Sequence, residues 1–176
     1  MTQYLEKKYV QKDSIEKRDY QVNLATQAIK ENCIVVLPTG LGKTAIALHI
    51  IAEYLSKGTG GVLFLAPTRV LVNQHYEFLK NNLTLDDIAL ITGEDTIQKR
   101  TKLWNNSVIC ATPEIARNDF VRGIVTPDQF TLVIFDEVHR TVGDYAYSGI
   151  AQRFEDSDVR IVGMTATLPS EKEKAT

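Results

Sequence analysis

The chain has 176 residues, 44% of them hydrophobic and 24% charged, with a formal net charge of −2. That length fits one domain able to bury a core without disulfides or a structural metal, and no apolar run approaches the ~18 residues a membrane span requires. Residues 1–10 lack the apolar centre of a secretory signal and the charge balance lacks a global basic signature, so a cytoplasmic location (nuclear in a eukaryote) is expected and any phosphate binding must rest on local arrangement.

In chain order, residues 1–17 mix Glu6, Asp13 and Glu16 with Lys7, Lys8, Lys12 and Lys17 and are expected to form a solvated arm or edge element. Residues 18–30 predict an amphipathic helix with Tyr20, Leu24, Ala28 and Ile29 inward. Apolar, β-branched runs at 34–37, 62–65, 88–91, 108–109, 132–135 and 161–162 predict short strands. Their lack of polar alternation suggests burial on both faces. Helix-period segments at 45–55, 70–79 and 114–121 lie between them, the last opened by Pro113, which suits a first helical position. Strand–helix–strand alternation implies an α/β fold: a mostly parallel sheet with helices on both faces. The main domain is expected over 18–170, with 171–176 a polar tail. Cys33 and Cys110 edge apolar runs without CxxC partners and read as small buried hydrophobes. Trp104 reads as a packing aromatic, and His49 and His75, inside helical segments, read as structural.

Two motifs carry chemistry. Leu37-Pro38-Thr39-Gly40-Leu41-Gly42-Lys43-Thr44 follows a predicted strand and opens a predicted helix, the context a phosphate loop requires. Gly40 and Gly42 let the backbone turn N–H groups onto phosphate oxygens, and the helix N-terminus adds its dipole. Lys43 suits the β- and γ-phosphates and the Thr44 hydroxyl suits Mg²⁺. Leu37 stands where the usual pattern has Gly or Ala. Further on, the run 132–135 ends in Asp136-Glu137-Val138-His139. Acids at the carboxyl end of a buried strand lie where open α/β sheets bind ligands. Asp136 is suited to hold Mg²⁺ through water, and Glu137 to orient or deprotonate an attacking water.

With both motifs in place, residues 18–168 resemble superfamily 2 helicases of the DExH type. Archaeal Hef and the Fanconi-anaemia M-type translocases lie nearest, and the RIG-I-like and Dicer-type RNA motors are more distant. The resemblance implies a RecA-like P-loop domain using ATP and Mg²⁺. It makes Arg18-Asp19-Tyr20-Gln21 a Q-motif equivalent, in which Gln21 reads the adenine edge with a donor and an acceptor side by side and Arg18 and Tyr20 support the base or the loop. It makes Pro38, Thr39 and Leu41 part of the nucleotide cradle. Thr68 and Arg69 resemble motif Ia, Thr92 and Gly93 motif Ib, and Thr112 and Pro113 the next strand-end loop. Together these imply contacts to the phosphates of one nucleic-acid strand. Thr165-Ala166-Thr167 resembles motif III, which with His139 couples the ATP and nucleic-acid sites. Val138 replaces the usual Ala or Cys, and the following Arg140-Thr141-Val142-Gly143-Asp144-Tyr145 favours Hef over DEAD-box proteins.

Nothing in the sequence resembles motifs IV to VI, so the second RecA-like domain of the family's motor is expected to be absent from this chain. The arginine finger that domain supplies contributes about 10³–10⁵ in rate, so this stretch alone is expected to be nearly inactive. A GTPase would need an Asn-Lys-x-Asp element, which is missing, and a small kinase an arginine-bearing lid. Three readings stay open: a DNA motor acting on forks or branched DNA in repair, an RNA motor, and an ATP-switched clamp. DNA is favoured by the resemblance, since a 2′-OH requirement leaves no mark in these motifs.

Overall fold

The computed structural model describes residues 2–37, 42–58, 60–137, 145–155 and 157–166. Six strands form one sheet in the order β1-β6-β5-β2-β4-β3: β1 Cys33–Val36, β2 Gly61–Leu65, β3 Ile88–Leu90, β4 Val108–Ala111, β5 Phe130–Asp136 and β6 Arg160–Thr165. Every pairing is parallel, as the alternation of strand and helix required. Among the described residues six α-helices connect and cover it: α1 Asp19–Lys30, α2 Lys43–Lys57, α3 Arg69–Asn82, α4 Ile97–Leu103, α5 Pro113–Arg122 and α6 Tyr145–Phe154.

The sheet divides the core in two. Alternate residues of a strand point to opposite faces, so Val62 and Phe64 of β2 join one cluster with residues of α1, α2 and α3. Leu63 and Leu65 join the other, with Trp104, Ala116 and Phe120, and Ile150 and Phe154 of α6. The four residues of β4 are all fully buried, which explains their continuous apolar run. β1 departs from that expectation. It lies at the end of the sheet, and Ile34 and Val36 remain 54% and 39% exposed.

One local expectation is corrected, and one helix was not anticipated. The inward face of α1 is Gln21, Ala25 and Ala28, spaced as one helical stripe. Tyr20 is exposed, and Leu24 and Ile29 only flank the core. The polar segment Ile97–Leu103, which has no apolar stripe, is nonetheless helical and is capped by the Thr96 hydroxyl, which accepts from the Lys99 N–H at 3.1 Å. The opening segment packs against the body. Leu5 and Val10 are buried in the first cluster, Val10 bridges Leu83 at the end of α3, and Lys7 pairs with Glu53 at 2.6 Å. His49, 3.2 Å from Lys7, has its pKa pushed down to about 4 by burial and then by the Lys7 charge. It is therefore a neutral structural imidazole at physiological pH.

The second core is locked by Asp119, which is fully buried. Its carboxylate accepts from Arg100 Nε and Nη2 at 3.0 and 3.1 Å and from Trp104 Nε1 at 2.8 Å. Trp104 is thus a packing residue. Removing one partner of a buried ion pair leaves the other charge uncompensated. Asp119→Ala should cost about 3–5 kcal/mol of unfolding free energy, measured by urea denaturation; a loss under 1 kcal/mol would mean Arg100 finds water or another acceptor.

Candidate functional site

Because all strands run parallel, their carboxyl ends share one edge of the sheet, and the strand order splits that edge into two halves. β1, β6 and β5 bring together Leu37, which follows β1, Thr165 and the Asp136–Glu137 pair. β2, β4 and β3 place side by side the loops bearing Thr68 and Arg69, Thr112 and Pro113, and Gly93. Among the expected site residues, Pro38, Thr39, Gly40, Leu41, His139 and Thr167 lie outside the described residues.

In the first half, Gly42 sits at the N-cap of α2 with φ +80°. That backbone conformation favours glycine. A Cβ there would lie 2.3 Å from Gln21 Nε2, so the end of the Gln21 side chain lies directly against Gly42. Its Nε2 also donates to the Tyr20 hydroxyl at 3.3 Å. Arg18 precedes α1 and its guanidinium pairs with Glu16 at 3.1 Å on the surface. Lys43 and Thr44 are the first two residues of α2, where unpaired N–H groups and the helix dipole favour an anion.

Across from them β5 ends at Asp136, and the backbone turns into the left-handed region at Glu137, φ 53°. A non-glycine residue held there costs of order 1–3 kcal/mol. The turn brings its carboxylate Oε1 to 3.3 Å from Lys43 Nζ. Asp136 Oδ1 stands 3.6 Å from the same nitrogen. Asp136 is only 4% exposed. Burial alone would raise its pKa, but the hydrogen bond and charge of His75 and the Lys43 ammonium more than reverse this, and the group is held below the ordinary carboxylate range. Thr165, fully buried at the end of β6, lies beside this group: its carbonyl accepts from the Leu37 N–H at 3.2 Å.

The structure also adds a residue that the sequence did not single out. His75 of α3 places Nε2 2.7 Å from Asp136 Oδ2. Read as structural from its helical setting, it lies against one of the expected site residues. No local pattern announces it, because its position follows from β2 and β5 being neighbours.

In the second half, Thr68 caps α3, its hydroxyl accepting from the Leu71 N–H at 3.2 Å. Arg69 opens that helix and pairs with Glu94 at 2.9 Å, joining the first strand-end loop to the one that carries Gly93. Thr112 precedes α5 and Pro113 is its first residue. Gly93 lines a cavity of about 410 Å³ together with Thr96, Arg100, Asn118 and Arg122.

The donors suited to a metal are oxygen atoms, the Thr44 hydroxyl and the Asp136 carboxylate. That fits a hard cation such as Mg²⁺, which keeps several waters and binds substrate phosphates. Among the described residues no group of three or more His, Cys, Asp or Glu forms an all-protein cage.

The class follows first. The helicase domain of Hef from Pyrococcus furiosus matches this fold with a TM-score of 0.82 and 40% identity, over 90% of this chain and 35% of that one, so the domain is of the RecA-like helicase type. The family follows from the sequence: the model of the DEAD/DEAH box helicases matches residues 18–175, and the chain belongs to that family. The protein of Methanocaldococcus jannaschii named "Putative ATP-dependent RNA helicase MJ1505" is 41% identical over 174 residues. The ATP-dependent DNA helicase MPH1 of Candida albicans is 36% identical over 174 residues. The chain spans 22% and 14% of the length of these two relatives. No helix of the described residues is long and apolar enough to cross a membrane.

Proposed function

We propose that this domain is the ATP-binding half of a nucleic-acid translocase or helicase motor, acting on DNA forks or branched DNA. The observation that carries the reading is the meeting of Lys43 with Asp136 and Glu137 across the sheet edge, at 3.6 and 3.3 Å. A cation at a helix head facing two strand-end acids suits phosphoryl transfer, which needs positioning and charge stabilisation more than covalent chemistry.

The residues divide the work as follows. The α2 head and Lys43 bind the β- and γ-phosphates, with Pro38, Thr39, Gly40, Leu41 and Gly42 forming the cradle. Thr44 and Asp136 hold Mg²⁺, which when bound neutralises charge developing on the phosphates. Glu137 orients or deprotonates the attacking water. Gln21, supported by Tyr20 and Arg18, reads the base. Thr68, Arg69, Gly93, Thr112 and Pro113 grip strand phosphates, and His139, Thr165 and Thr167 relay between the two halves of the edge. A second RecA-like domain of the same protein closes over the nucleotide and completes the cycle.

The test is steady-state ATP hydrolysis by the intact protein at matched low salt, alone and with forked DNA or duplex RNA. Stimulation by forked DNA supports the DNA reading, which the name of the MPH1 relative favours. Stimulation by RNA alone would transfer the domain to the RNA motors, the direction in which its 41%-identical relative's name points. Absence of stimulation by either would leave an ATP-switched clamp.

A further inference from the structure

The Asp136 carboxylate meets two side chains on different elements and also takes a hydrogen bond from the Glu137 backbone N–H. Oδ1 faces Lys43 Nζ at 3.6 Å and Oδ2 faces His75 Nε2 at 2.7 Å. The shorter contact is the stronger constraint. An ionised carboxylate only accepts, so the His75 Nε2–H donates. The terminal torsion of an aspartate is broad and roughly two-fold, and its hydrogen bonds rather than its rotamer therefore fix which oxygen faces which way. His75 itself is held firmly. It is 8% exposed and its ring stacks on Phe64 of β2 with centroids 4.5 Å apart and planes 28° from parallel. Phe64 is paired in register with Ile134 of β5, the strand that ends in Asp136. The imidazole is thus anchored to the same pair of strands as the carboxylate it touches.

We propose that His75 is a positioning residue of the nucleotide site: by holding Asp136 Oδ2 it keeps Oδ1 presented toward the head of α2, where a nucleotide-bound divalent cation would take it. The proposal rests on the reading of Asp136 as a metal-holding residue. Without the His75 donor, the carboxylate keeps the Glu137 N–H but loses its shortest side-chain contact and is drawn further toward the Lys43 ammonium, away from the position an incoming metal requires. Partners that orient metal-binding side chains are worth about 10–100-fold in metal affinity.

The experiment measures equilibrium ATP binding by the intact protein across a Mg²⁺ titration and in EDTA, alongside thermal melting without nucleotide. His75→Leu fills the space against Phe64 but has no donor. His75→Gln restores an N–H. The leucine variant is expected to need about 10–100-fold more Mg²⁺ for the same gain in ATP affinity, with affinity in EDTA unchanged, and the glutamine variant to stay within a few-fold of the parent. A merely structural histidine would shift melting and leave the Mg²⁺ midpoint in place, and that result for His75→Leu overturns the proposal. Should the leucine variant not fold, His75→Met, which also lacks a donor, takes its place: a tenfold or greater rise in the Mg²⁺ midpoint supports the donor role and a retained midpoint refutes it. Lys43→Ala separates the two levels. If it leaves ATP binding unchanged, the nucleotide site itself is misread; if it weakens binding while His75→Leu leaves the Mg²⁺ response intact, only the role of His75 falls.

Discussion

Lys43→Ala is expected to lower ATP turnover by the intact protein by at least 10²–10³-fold, the typical worth of one preorganised charged donor, and to weaken nucleotide binding with it. Lys43 is the first residue of α2 and stands between two carboxylates. Its loss subtracts a cation from the phosphate-binding end and takes the Lys43 counter-charge away from Asp136 and Glu137. Both effects oppose a polyanionic ligand. Steady-state hydrolysis and equilibrium binding, with thermal melting to confirm folding, read all of this. Turnover within tenfold of the parent would remove Lys43 from the phosphate site.

Glu137→Gln should behave differently, with ATP binding kept within a few-fold and hydrolysis reduced by about 10²–10⁴, the usual contribution of a positioned general base. The carboxamide oxygen can still accept from Lys43 in place of the carboxylate oxygen that now lies 3.3 Å from it, so the binding end is little disturbed. What is lost is the basicity. The backbone supports this assignment: a glutamate held at φ 53° is tolerated where surrounding structure over-determines it, as at functional sites. Single-turnover hydrolysis separates chemistry from product release; unchanged single-turnover rates would assign the water to another residue.

The sequence made the fold and half of the site legible because each signal there was local. Apolar runs without alternation marked buried parallel strands, and Lys43 with Thr44 followed glycines between a strand and a helix. Asp136 and Glu137 closed an apolar run. What stayed hidden depended on which strands are neighbours. His75 reaches Asp136 only because β2 lies beside β5, and Ile34 and Val36 stay exposed only because β1 ends the sheet. The stripe on α1 was misjudged for another reason. Its inward face carries a glutamine and two alanines, and hydrophobicity gives such a stripe little weight although it permits the close approach to Gly42. The helix Ile97–Leu103 escaped because its buried residue is Arg100, satisfied by Asp119, and a buried charge with its partner on another helix has no periodic signature.

The placement of β1 also bears on how the domain is made. Among the described residues β1 is the first strand, yet it pairs in the sheet with β6, the last, with Cys33 beside Val162 and Val36 beside Thr165. Contacts so distant in sequence form late, since the intervening chain must be ordered before they stabilise anything. During synthesis from the amino terminus, the strand that leads into the phosphate loop has no sheet to join until five other strands are in place. The meeting of Lys43 with Asp136 and Glu137 therefore depends on the last strand, and a nascent domain lacking β6 has no strand beside β1 to fix where the chain enters α2.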